Sequence, residues 1–282
     1  MGKRFDTLLF PGNRKKAFTL SYDDGVLQDV RLLELLKKYG LKGTFNLNYG
    51  VTGYESLPDR PFSVSRVKRE DIRELYKDQE IGGHGLYHSD LTGLGTPYAS
   101  YEILEDKRGL EEITGGIVDM FAYPFGLYNE EVKDLLKSAG YKGARTVTST
   151  HSFALPSDPW RLDPTCHHND EKLMELADQF LSMPSFRTSL FYVWGHAYEF
   201  DRDGNWDQME AFLAKMAGHD DIWYAANGEI LRYLEAYKML EYSVDGSLIR
   251  NPSSIDVLIG TSFGTTELLK AGTTTRVKDT PL

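Results

Sequence analysis

Between residues 17 and 238 of this 282-residue chain, short apolar runs alternate with amphipathic stretches, and this alternation restricts the fold more than any other property of the sequence. Residues 17–22, in "FTLSYDDGV", read as a buried strand, and "LQDVRLLELLKKYG" carries Leu27, Val30, Leu33 and Leu36 at helical spacing with Gly40 as a stop signal. "KGTFNLN" reads as the next strand, followed by a helix near 68–78, a strand at "EIGGH" and a helix over 98–114. "VDMFAYP" precedes a helix capped by Asn129 and ending at Gly140, and "YKGART" returns as a strand. A helix near 170–182, the apolar run "SLFYVWG", a helix near 206–217, the strand "IWYA" and a helix from Asn227 continue the order. The junctions "LLKKYGLKGTF" and "LLKSAGYKGAR" repeat one helix-to-strand connection. Such a chain is expected to form an α/β fold, a parallel sheet or barrel with helices outside and its sites at the carboxyl ends of the strands.

After about residue 240 the pattern changes. "YSVDGSLIR" places an Asp-Gly turn between apolar residues, and "SIDVLIG" and "AGTTTRVK" read as strands. The expected division is a catalytic barrel over 1–240 and a small β-rich appendage over 241–282.

Composition narrows the function. A net charge of −10 argues against a general nucleic-acid or anionic-membrane binder, which would need a basic face. The single cysteine, Cys166, excludes an internal disulfide and a multi-cysteine zinc site, so a metal would be held by His and carboxylate. The run "LLF" near the start is too short for a signal-peptide core or a membrane span. The chain as written is therefore expected in the cytoplasm, or outside if a leader has been removed.

Three groups of residues carry chemistry, each just past an apolar run. Asp23 and Asp24 are adjacent, so both can face one site only if the strand ends there, which Gly25 permits. His84 and His88, in "GGHGLYHSD", have the spacing at which a helical turn puts two rings on one face. With Asp24 they make a His₂Asp set that leaves positions open for water and substrate, as a catalytic metal requires. His196, in "LFYVWGHAYEF", is the third. Asp23 and His196 would then serve as base and acid. Two histidines and a carboxylate also suit a ferrous oxygenase, although oxygen chemistry has no use for the second aspartate.

"TLSYDDG", "HGLYH", "FAYPFG" and "YVWGH" resemble, in order and context, the motifs of the polysaccharide deacetylases of carbohydrate esterase family 4, the NodB-homology domain. The resemblance covers roughly residues 15–240. It implies a distorted (β/α) barrel of fewer than eight strands and one divalent metal ion, zinc, with cobalt or nickel as alternatives. It gives Asp23 the role of base, Asp24, His84 and His88 those of ligands, and His196 that of acid. The implied activity is removal of acetyl groups, foremost N-acetyl from the amino sugars of a glycan or oligosaccharide. Tyr123 and the backbone of Phe125 are expected near the oxyanion, and His168 and Trp194 beside the substrate.

The sequence departs from the family in three places. Gly85 stands where a Ser or Thr usually steadies the histidine loop. Ala122 stands where an arginine usually orients the base, which makes Arg145 in "YKGART" the substitute to test. The carboxylate behind the acid histidine has two candidates, Asp163 and Glu199. "TCHHND" adds His167 and His168, a weak case for a second metal because no separated ligand group accompanies them, and Trp160, Trp194 and Tyr198 offer rings either to sugars or to packing. Two rivals to a glycan deacetylase are a related amidohydrolase of a small cyclic amide or ureide and a glycan-binding protein without catalysis.

Overall fold

The computed structural model describes residues 6–57, 62–184, 187–261 and 264–277. Its central strand, β2 (Lys16–Asp23), is buried along its whole length, as expected of a parallel strand covered on both faces. β3 (Gly43–Leu47), β4 (Glu80–Gly83), β5 (Met120–Ala122) and β6 (Gly143–Arg145) follow on one side of it, and β8 (Ser189–Gly195) and β7 (Cys166–His167) on the other. The order is β6-β5-β4-β3-β2-β8-β7, every pair parallel. β9 (Ile222–Tyr224) lies off this path and pairs with the first residues of β2, on which β3 pairs only from Leu20 onward. β6 and β7 are the two ends of the path; residues between them lie along β6, where the Leu162 N–H donates to the Ala144 carbonyl and the Thr146 N–H to the Leu162 carbonyl. The result is a curled, incompletely closed (β/α) barrel of seven strands on its path, as anticipated.

The helices α1 (Asp29–Tyr39), α2 (Arg69–Leu75), α3 (Thr96–Thr114), α4 (Glu130–Ser138), α5 (Leu173–Ser182), α6 (Tyr198–Asp203), α7 (Trp206–Met216) and α8 (Asn227–Lys238) connect the strands. The Asn129 side chain caps α4 by accepting from the Val132 N–H at 2.9 Å, and Gly140 follows with a left-handed φ of +86°. α1 corrects the expected stripe: Leu27 and Val30 are 49% and 42% exposed, and the buried face is Asp29, Leu32, Leu33, Leu35 and Leu36. A carboxylate occupies the first position of that face, so counting apolar residues alone rotates the helix. The main core joins these helices to the sheet through packed rings such as Phe18, Phe191 and Phe212; burying each such ring contributes about 1.5–3 kcal/mol.

Two small antiparallel sheets follow α8. One orders β10 (Glu241–Tyr242), β11 (Leu248–Arg250) and β14 (Thr274–Arg276) as β10-β11-β14. The other joins β12 (Val257–Gly260) and β13 (Thr266–Leu269) to β1 (Thr7–Leu9), Leu8 facing Ile259. Ala236 and Leu240 share a core with Ile249, Val257, Ile259 and Leu269, which seats these sheets on the end of α8. Among the described residues no helix is long and apolar enough to cross a membrane.

Candidate active site

Asp23 is the last residue of β2, and Asp24 turns the chain with φ +84°, a left-handed conformation unusual for aspartate. That turn lets two neighbouring carboxylates both approach His84 and its surroundings. Asp23 is 2% exposed and both its oxygens are held: Asn46 Nδ2 donates to Oδ1 at 2.8 Å, and Arg145 Nη2 donates to Oδ2. Burial alone would raise the Asp23 carboxyl; opposing charge, that of the Arg145 guanidinium foremost, outweighs it and holds the group well below the usual carboxylate range.

Arg145 ends β6, and its register partner on β5 is Ala122. A guanidinium thus enters at the level of Ala122 from the neighbouring strand. It is 1% exposed, donates through Nη1 to the Thr146 carbonyl at 3.0 Å, and has Cζ 4.5 Å from the centre of the Trp194 ring. The Trp194 indole N–H is buried without a hydrogen-bond partner.

His84 follows β4. Its Nδ1 lies 2.7 Å from the Ala122 carbonyl, which can only accept, so Nδ1 carries the proton and Nε2 keeps a lone pair. That Nε2 is buried and unpartnered, as is Asp24 Oδ1. Burial lowers His84 to about 4, so the ring is neutral, as a ligand must be. His88 reaches the same place with φ +59°, its Nε2 3.8 Å from Asp24 Oδ1 and its ring edge-on to those of His84 and Phe125. The ligand atoms of Asp24, His84 and His88 lie within 4.8 Å of one another, and both His84 Nε2 and Asp24 Oδ1 are buried without a hydrogen bond, so the set fits a divalent cation although Arg66 Nη1 lies 3.1 Å from Oδ1. No helical turn joins the two histidines; Gly85 at φ +76° bends the loop instead, a correction to the helical-face reading.

The support that Gly85 cannot give comes from residues the sequence did not single out. Asn48 Nδ2 donates to the carbonyls of His84 and Gly85 at 2.6 and 2.7 Å. The Asp106 carboxylate accepts the His84 N–H at 2.9 Å, and Glu102 accepts the Tyr87 N–H and the Ser89 hydroxyl at 2.9 and 3.0 Å. Asn46 and Asn48 are two apart at the end of β3, a strand-face spacing that could have marked them.

His196 follows β8, its Nε2 4.0 Å from Asp23 Oδ2 and its Nδ1 3.4 Å from Glu199. Burial lowers His196, but the hydrogen bond to Glu199 and the charges of Asp23 and Asp24 raise it above the ordinary imidazole value. Of the two carboxylates considered behind it, Asp163 is instead engaged with Thr146 and Arg161. Glu199 gathers His167 Nε2 at 3.0 Å and His168 Nε2 at 3.2 Å on the same oxygen as His196. These three residues could geometrically form a second metal group. The tautomer of His167 speaks against it: Nδ1 accepts the Asn169 N–H at 3.1 Å, so Nε2 carries the proton where it lies beside Glu199, with no lone pair for a metal.

The remaining expected residues are dispersed. The Tyr123 N–H donates to the Arg145 carbonyl at 3.1 Å and its hydroxyl to the Trp160 carbonyl at 3.0 Å, so both of its donors are engaged away from an oxyanion. The His168 side chain is sealed between Tyr22 and Phe200 and does not face a groove; Gly195 leaves the room it needs, since a Cβ there would lie 2.0 Å from His168 Nδ1. Phe125 is 60% exposed at φ +58° beside His88. Tyr198 stacks on Phe62, its ring centre 5.3 Å from that of His196.

Residues 11–144 match the sequence model of a family described as polysaccharide deacetylase. That stretch contains Asp23, Asp24, His84 and His88, while Arg145 and His196 lie beyond it. Over 121 residues the chain is 28% identical to the peptidoglycan-N-acetylglucosamine deacetylase PgdA of Listeria monocytogenes, covering 42% of this chain and only 23% of that protein's length. A Mycobacterium smegmatis crystal structure assigned to the polysaccharide deacetylases superposes with a TM-score of 0.62 at 18% identity, over 84% of this chain and 96% of that one. A mutant of BA3943, a CE4 family pseudoenzyme of Bacillus anthracis with restored enzymatic activity, superposes at 0.51 with 19% identity, over 78% and 68%. At such identities the structural likeness is one of fold.

Proposed function

Residues 11–144 belong to the polysaccharide deacetylase family, and from that premise we propose that the chain is a metal-dependent hydrolase that removes acetyl groups, N-acetyl from the amino sugars of a glycan or oligosaccharide first among them. The observation that carries this is the division of the aspartate pair: Asp24 lies with His84 and His88 and its Oδ1 accepts no hydrogen bond, while Asp23 is held apart by Asn46 and Arg145.

Asp24, His84 and His88 would hold the cation, zinc with cobalt or nickel as substitutes. A divalent ion bound there supplies Lewis acidity, polarising an acetyl carbonyl and making water acidic enough to react near neutral pH. Asp23, oriented through both oxygens, accepts the proton of the attacking water. Arg145 keeps that carboxylate ionised and fixes its rotamer. His196 enters the reaction protonated and gives its Nε2 proton to the departing amine, with Glu199 behind Nδ1 stabilising the charged ring. Phe125, turned by its left-handed backbone at the rim, borders the acetyl group.

The test is acetate release from acetylated chito-oligosaccharides, peptidoglycan fragments, acetylated xylan and ureides, before and after chelation and with zinc, cobalt or nickel restored. Chelator-sensitive release from the amino-sugar substrates is expected. Release from none of them, with a metal ion bound, would leave a glycan-binding role instead.

A further inference from the structure

We propose that Arg66 is a positioning residue that clamps Asp24 in its left-handed conformation and so presents one of its carboxylate oxygens toward His84 and His88. The second half of this inference rests on the metal site proposed above; the first does not.

A non-glycine residue at φ +84° is strained by roughly 1–2 kcal/mol and persists only where its surroundings over-determine it. Three main-chain hydrogen bonds restrain the turn that follows β2. The Asp24 N–H donates to the Asn46 carbonyl at 2.9 Å, the Val67 N–H to the Gly25 carbonyl at 2.8 Å, and the Leu27 N–H to the Ser65 carbonyl at 2.9 Å. Residues 65–67 therefore lie along residues 25–27 as a strap, with Val26 and Arg66 forming an antiparallel bridge. None of these three bonds reaches the Asp24 carbonyl. Arg66 does: its Nη1 donates to that oxygen, while the Arg66 N–H is anchored on the Tyr54 carbonyl at 2.8 Å.

The same Nη1 lies 3.1 Å from Asp24 Oδ1, yet Oδ1 receives no aligned hydrogen bond. One cation thus ties the backbone of Asp24 and offsets its charge, and leaves Oδ1 without a directed hydrogen bond, 3.8 Å from His88 Nε2. The Arg66 side chain is only 15% exposed, so water is a poor substitute for it. A guanidinium beside a cation site also repels the incoming ion, and the two effects predict opposite signs when Arg66 is removed. Restraint of a ligand from outside the coordination sphere is worth about 10- to 100-fold in metal affinity.

The experiment compares wild type, Arg66→Lys and Arg66→Met, with melting temperatures as a control for folding. Hydrogen exchange at the amides of Asp24, Leu27 and Val67 is measured in metal-free protein, and zinc affinity by competition with a chromophoric chelator. The clamp predicts faster exchange at these amides in Arg66→Met, and zinc binding weakened about 10- to 100-fold, with Arg66→Lys between it and wild type. Unchanged exchange, or tighter zinc binding in Arg66→Met, overturns the proposal. If wild type binds no zinc while the exchange difference stands, the metal site fails and the clamp does not.

Discussion

Arg145 and Asp23, 122 residues apart in sequence, form an ion pair in which both side chains are almost completely withdrawn from solvent. One terminal nitrogen of the guanidinium holds Asp23 while the other is tied to the Thr146 carbonyl, a planar two-point placement that an ammonium does not reproduce. Arg145→Lys is expected to lower turnover on the order of 100-fold while zinc content stays the same, because a displacement of about 1 Å in a catalytic group has that effect. Steady-state rates and metal analysis on the same preparation check it, and an unchanged kcat would remove Arg145 from the machinery.

Asp23→Asn separates the two aspartates. The amide oxygen can still accept from Arg145, but its NH2 then faces Asn46 Nδ2, which also donates, and the buried guanidinium loses its counter-charge; some stability is therefore lost, while the metal site, built from other side chains, is expected to persist. Turnover is expected to fall by ~10²- to 10⁴-fold, the range for a lost general base. Metal analysis and single-turnover acetate release decide it; loss of the metal instead would show that the division of labour between Asp23 and Asp24 is mistaken.

His196 must be protonated to act as an acid, and its raised pKa keeps it so to higher pH than a free imidazole. Activity should therefore decline as pH rises through that value. Glu199→Gln removes the carboxylate behind Nδ1, lowers the His196 pKa and moves the alkaline limb of the kcat profile to lower pH. Each unit of that displacement is worth about tenfold in protonated acid on the alkaline side. Asp163→Asn, which touches Thr146 and Arg161 instead, should leave the limb in place.

Asp29 makes a stability prediction independent of catalysis. It is fully buried on α1, accepts the Tyr76 hydroxyl at 2.6 Å, and burial pushes its carboxyl up to about 8. Below the ordinary carboxylate range both folded and unfolded chains hold this proton. Between that range and about pH 8 only the folded chain does, so stability falls as pH rises through this window. Asp29→Asn keeps an acceptor for Tyr76 and removes the titration. Urea melts of chelated protein should show it more stable than wild type at pH 8, on the order of 5 kcal/mol, with little difference at pH 4.

The residues most legible in the sequence were those whose position and chemistry coincide. Asp23, Asp24, His84, His88 and His196 each follow an apolar run, so strand order alone brings them to the carboxyl edge of the sheet. What was not legible depends on contacts between distant segments. Asn48, Glu102 and Asp106 look like ordinary polar residues until the histidine loop folds against them. Arg66 sits in a stretch without periodicity, and only the bridge to Val26 brings it to Asp24. The spacing of His84 and His88 suggested a helix because four residues span one turn, but two left-handed residues accomplish the same approach in a loop. His168 approaches the same Glu199 oxygen as its neighbour His167, but its ring is stacked between Tyr22 and Phe200 and is lost to the interior.

The place of β2 in the sheet has a consequence during synthesis. β3 can join β2 as soon as α1 is made, but the other flank of β2 belongs to β8, whose first residue is Ser189. Until the ribosome has delivered β8, strand β2, buried along its whole length in the finished fold, has an open edge and an uncovered row of amides, the condition in which nascent chains pair with the wrong partner. Trigger-factor-like holdases, or slow translation before residue 189, would act on this interval, and a chain released before β8 is complete should aggregate although it already contains Asp23, Asp24, His84 and His88.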